Sequence, residues 1–142
     1  MSYVYNDGGR ERAGYKGKAG DCGVRALAIA LQIPYKEVYD KVNEFSAQEK
    51  PSKRRRGKSN ARTGIHTHTF RKIAEHYGLK WIPKMTIGLG CTTHLRSDEL
   101  PKGRIICKVS RHYTAVIDGV INDTYDCSRR GTRCVYGYWV KP

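Results

Sequence analysis

The stretch from residue 104 to 140 does most to limit the fold. Asp118-Gly119 favours a two-residue hairpin turn with both residues at positive φ. It stands between two runs rich in β-branched and apolar side chains, His112–Ile117 and residues 120–125. Arg104–Val109 and residues 134–140 have the same character, so four antiparallel strands are expected here. The first half has another period. Val24, Leu27, Ala28 and Leu31 follow the i, i+3, i+4, i+7 spacing of one helix face, with Asp21 at the N-cap position. Pro34 opens a second helix, which buries Val38, Val42 and Phe45. A third helix begins near Thr67, buries Phe70, Ile73, Ala74 and Tyr77, and stops at Gly78. Residues 79–82 then read as a short strand. Residues 1–20 are expected to be mostly irregular, and residues 84–102 are broken by Gly88, Gly90 and Pro101. Helices first and antiparallel strands later predict an α+β fold, and 142 residues suit a single domain.

Charge narrows the partners. The formal net charge is +14, which favours anionic ones. Much of it is local: Lys50, Lys53, Arg54, Arg55, Arg56, Lys58 and Arg62 are opposed only by Glu49. Pro51, Ser52, Gly57, Ser59 and Asn60 make this stretch a poor helix or strand, so a basic loop insertion is expected at about 49–63. Arg54, Arg55 and Arg56 are its expected contacts, either to an acidic protein or peptide substrate or to nucleic acid phosphates. No run is apolar enough for a membrane span, and MSYVYNDGGRER lacks the core of a signal peptide. The five cysteines are odd in number and irregularly spaced. Free thiols in a reducing, cytoplasmic setting are therefore expected, with Cys107, Cys127 and Cys134 as packing residues. His66 and His68, with Cys91 and His94, match no structural zinc spacing, so they are read as loop and cap residues. No metal or cofactor is expected.

One constellation carries chemistry. Gly20-Asp21-Cys22-Gly23 leads into the first helix and sets a thiol at its N-terminus. There the helix dipole and unpaired N–H groups favour the thiolate, which is the nucleophilic form. The flanking glycines are expected to leave room for a substrate carbonyl. His112 begins a strand, and the Asp118-Gly119 turn sends the chain back past it, which brings Asp123 near. Asp123 could orient the imidazole, with Asp126 as the alternative. Arg25 is expected in a structural ion pair.

The segment Gly20, Asp21, Cys22, Arg25, Ala26 resembles the nucleophile helix of papain-like cysteine peptidases. It is similar to those of the ovarian-tumour-type deubiquitinases and the bacteriocin-processing peptidases. The order His112-Tyr113-Thr114-Ala115-Val116-Ile117, turn, Asp123, Tyr125 resembles the same superfamily, whose His begins one strand and whose Asn or Asp ends the next. The resemblance covers roughly residues 15–45 and 103–140. It implies a papain-like fold and a peptidase or isopeptidase with Cys22 as nucleophile, His112 as base and Asp123 as third member. Papain relatives often carry Gln just before the Cys, where this chain has Tyr15-Lys16-Gly17-Lys18. The Cys22 N–H remains as one oxyanion donor, with a backbone group of residues 18–21 as the other. The rival expectation is a papain-like module without catalysis that binds nucleic acid or an acidic protein through its basic surface.

Overall fold

The computed structural model describes residues 1–17, 19–50, 57–86 and 88–142. The binding assignment to Arg54, Arg55 and Arg56 lies outside the described residues. Three helices, α1 (Cys22–Leu31), α2 (Tyr35–Ser46) and α3 (Thr67–His76), accompany six strands. The strands are β1 (Tyr3–Tyr5), β2 (Lys80–Pro83), β3 (Arg104–Val109), β4 (His112–Ile117), β5 (Val120–Asp123) and β6 (Gly137–Val140). They form one mixed sheet in the order β1-β5-β4-β3-β6-β2. The α+β class holds, and β3 and β4 fall where the β-branched and apolar runs placed them.

The sheet is not wholly antiparallel. β1 runs parallel to β5, with Tyr3 opposite Ile121 and Tyr5 opposite Asp123. A strand of three exposed residues offers no buried face for its period to mark. β5 and β6 are shorter than expected, each for a local reason. After Asp123 the Thr124 N–H donates to the Asp123 side chain, at 2.7 Å, and the chain leaves the ladder. Before Gly137, Val135 N–H donates to Thr93 O at 2.8 Å and Leu95 N–H to Arg133 O at 2.8 Å, so residues 133–135 pair with the 93–95 loop, and the chain rejoins β3 only at Tyr136, whose N–H donates to Lys108 O at 2.9 Å.

That loop pairing also overturns the expectation of five free thiols. His94 bridges to Cys134, and the Cys91 and Cys134 Cα atoms stand 5.8 Å apart, joined by a disulfide. Backbone pairing across residues distant in sequence brought them together, which spacing could not reveal.

α1 lies over β4 and β3. Val24, Leu27, Phe70, Ile73, Val38 and Val42 are fully buried with Ile106, Tyr113 and Trp139 from the sheet. A second apolar cluster includes Ile105, Cys107, Val109, Val116 and Ile121, with Leu95, Cys127 and Val135. Phe45 and Tyr77 pack only at the margin of the first cluster. Pro34 sits one residue outside α2, as its N-cap. α1 ends with Gln32 at φ 57°, and Arg104 donates to the exposed carbonyls of Ile29, at 2.6 Å, and Ala30, at 3.1 Å.

Gly137 is needed where β6 passes under Trp81. A Cβ there would fall 2.4 Å from the indole and 2.7 Å from Ile82 O. Gly137→Ala is expected to cost about 1–3 kcal/mol through overpacking. A melting temperature equal to that of the unaltered chain would contradict this.

Among the described residues, no helix is long and apolar enough to cross a membrane.

Candidate active site

Cys22 is the first residue of α1, and His112 is the first of β4. β4 pairs with β5 so that Ala115 faces Asn122 and Ile117 faces Val120. Continued one pair further, this register sets Thr114 opposite Asp123, which makes His112, two residues before Thr114, a diagonal neighbour of Asp123 on one face. His112 Nε2 donates to Asp123 Oδ2 at 2.7 Å, in the tautomer that bond assigns. The other ring nitrogen remains for Cys22, whose ionisation the imidazole favours. Asp126 is not brought to His112. Its carboxylate is exposed and accepts from Ser128 N, at 3.0 Å, and Ser128 Oγ, at 2.7 Å. An Asx turn has captured it, as a short acid two residues before a serine readily allows.

The electrostatics favour a thiolate–imidazolium pair. Burial opposes ionisation of Cys22, but His112, the Tyr113 backbone N–H and Arg25 together bring the thiol below its ordinary value. Burial likewise opposes a charged His112. Hydrogen bonds to Asp123, Cys127 and Cys22 outweigh that and raise the imidazole well above its ordinary value. Asp123 is also buried, and His112 with the Thr124 N–H holds its carboxyl below the usual range.

A second layer fixes Asp123. Arg25, one turn along α1 from Asp21, bonds to Asp21 and reaches Asp123 Oδ1 at 3.4 Å. Asp21 in turn accepts from Tyr35 Oη at 2.5 Å, and Arg10 Nε lies 3.3 Å away. The expected ion pair of Arg25 is present and joins α1 to Asp123. Asp21 occupies the N-cap position, but its side chain makes no cap hydrogen bond. With that carboxylate turned to Arg25, the N–H groups of Cys22 and Gly23 have no acceptor among the described residues.

The cleft itself has a volume of about 450 Å³. Cys22 and His112 meet in it, with residues 19–21 and 63–65, Lys108 and Tyr125 around them. The glycines beside Cys22 serve another purpose than the one expected. A Cβ on Gly20 would stand 3.0 Å from Thr63 O, and one on Gly23 would stand 2.7 Å from Ile65 Cδ1. They admit the 63–65 segment as a cleft wall.

Cys127 was missed. It is buried, and its Sγ lies 3.7 Å from Asp123 Oδ2. His112, Asp123 and Cys127 present ligand atoms within 4.8 Å of one another, close enough for one metal ion to meet all three. Arg25, 3.4 Å from the same carboxylate, places a fixed positive charge against a dication there. Cys127 is 1% exposed, so substrate does not reach it, whereas Cys22 is partly open. Arg10, Tyr35, Lys108 and Cys127 carried no signal in the sequence beyond their polar character. They arrive from four separate segments.

His66 occupies the N-cap position of α3 without a side-chain cap bond, and His68 is exposed on the first turn. His94 pairs with Glu99 at 3.2 Å.

Asp123→Asn is expected to raise the pH at which Cys22 becomes alkylated, and Asp126→Asn to leave it unmoved. Equal midpoints in the two variants would remove Asp123 from the site.

The chain matches no protein-family model, no curated protein and no solved structure.

Proposed function

We propose that the chain is a papain-like cysteine hydrolase acting on peptide or isopeptide bonds. The observation that carries the reading is His112 set between the Cys22 thiol and the Asp123 carboxylate, at the floor of an open cleft. Thiol nucleophile, base and orienting acid are the three parts such chemistry requires.

In this mechanism the Cys22 thiolate attacks the carbonyl carbon and a C–S bond forms. The carbonyl oxygen takes the negative charge and accepts from the N–H groups of Cys22 and Gly23, which the turned-away Asp21 leaves free. His112 gives its proton to the leaving nitrogen as the C–N bond breaks. Water, deprotonated by His112, then hydrolyses the thioester and restores the thiolate. Asp123 holds the imidazole ring throughout, and Arg25 holds Asp123.

The test is the covalent intermediate. After brief reaction with p-nitrophenyl acetate and acid quenching, peptide mapping is expected to place the acetyl group on the peptide containing Cys22. Acetyl groups spread over lysines, with none on Cys22, would contradict the reading.

A further inference from the structure

His112 must hand its proton to the leaving nitrogen, so the leaving half of the substrate lies over the wall that bears His112. That wall is the β3–β4 hairpin. Its other cleft-lining side chains are Lys108, Arg111 and Tyr113. Lys108 stands opposite Tyr113 in the ladder, with Nζ 4.2 Å from the ring centroid. No carboxylate pairs with it among the described residues. Burial strips water from this ammonium and holds its pKa below the ordinary lysine value, which the nearby Cys22 opposes. A partly desolvated cation with no carboxylate paired to it gains when one arrives. Arg111, in the two-residue turn at φ 56°, is exposed at the rim.

The charge continues beyond His112. There the cleft opens into a recess of about 630 Å³, bordered by Arg111, Arg129 and Arg133. Its one acid, Asp126, is held by Ser128. The recess on the opposite side of Asp21 is balanced, with Asp7 and Glu11 against Arg10 and Lys16. The asymmetry matches a substrate that is acidic on one side of its scissile bond.

We propose that Lys108 and Arg111 form a carboxylate-binding subsite for the leaving-group half of the substrate, so that an acidic residue follows the bond that is cut. The proposal rests on the hydrolase reading, and the experiment separates the two.

Two thioesters serve as probes: S-acetyl mercaptoacetate and its carboxamide. They differ only in whether the leaving thiol carries a carboxylate. Each transfers its acetyl group to the Cys22 thiolate, and the departing thiolate takes the proton from His112. Because the same thiolate attacks both, their rate ratio cancels any change in its ionisation. The wild-type ratio of carboxylate to carboxamide is expected to exceed one and to shrink with added salt. Lys108→Met keeps the aliphatic stem against Tyr113 and is expected to lower the ratio about tenfold, the loss of one charge-assisted contact. Arg111→Asn suits the left-handed turn and is expected to lower it several-fold, about the loss of a more exposed charge. A ratio unchanged in both variants overturns the subsite while leaving the hydrolase reading in place. Failure of both thioesters to acetylate Cys22 overturns the two together.

Discussion

Cys22→Ser is expected to reduce turnover of p-nitrophenyl acetate by about 10⁴-fold or more, the scale seen when a nucleophile is removed from a working constellation. The substitution changes one atom and keeps the side chain's shape. It changes the acidity, however. The Cys22 thiol is shifted towards ionisation because His112, the Tyr113 N–H and Arg25 outweigh its burial. A serine hydroxyl titrates far above any value those groups could offset, so His112 would face a neutral alcohol. Binding in the cleft should survive, because its walls come from residues 19–21, 63–65 and the β3–β4 hairpin. A rate for the serine variant within tenfold of wild type would place the chemistry elsewhere.

The second large effect is structural. Arg25→Met is expected to destabilise the fold by about 3–5 kcal/mol, the cost of breaking a buried ion pair from one side. Arg25 is the cation between Asp21 and Asp123, whose side chains are 1% and 3% exposed. Without it, Asp21 keeps only Arg10 and Tyr35, and Asp123 keeps His112, the Thr124 N–H and Cys127. Urea denaturation measures the loss as a shift in midpoint. A change below about 1 kcal/mol would show that the remaining partners suffice.

Much of the site could be read from the sequence because its parts obey local rules. The Asp118-Gly119 turn, at φ 48° and 80°, fixes the β4–β5 register, and that register alone carries Asp123 to His112. The thiol at a helix start likewise followed from the stripe of Val24, Leu27 and Ala28. The remainder depended on long-range meetings. β1 has three exposed residues, so no burial pattern marked it, yet it covers the edge at Asp123, where Asn6 N–H donates to the Asp123 carbonyl at 2.8 Å. The Cys91–Cys134 bridge depends on a loop pairing with residues 133–135. Asp21 is the instructive exception. A cap was expected, and the side chain instead serves Arg25, Tyr35 and Arg10. A local rule is broken where three side chains from other segments and turns claim the carboxylate.

The most direct test of the account is the pH dependence of iodoacetamide alkylation, mapped to each cysteine, in wild type and in His112→Ala. Cys107 and Cys127 are buried and Cys91 is bridged to Cys134, so the native chain offers Cys22. The sign follows from the pKa shifts. Cys22 is lowered by His112, so thiolate is present below the ordinary thiol range, near about pH 8.5, and is lost only as pH falls through the depressed value. His112→Ala removes the hydrogen bond and the positive charge while burial remains, so the midpoint must move upward. The account predicts Cys22 alkylation with a midpoint well below about 8.5 in wild type and above it in His112→Ala. The same midpoint in both proteins, or a Cys22 that does not react, would contradict it.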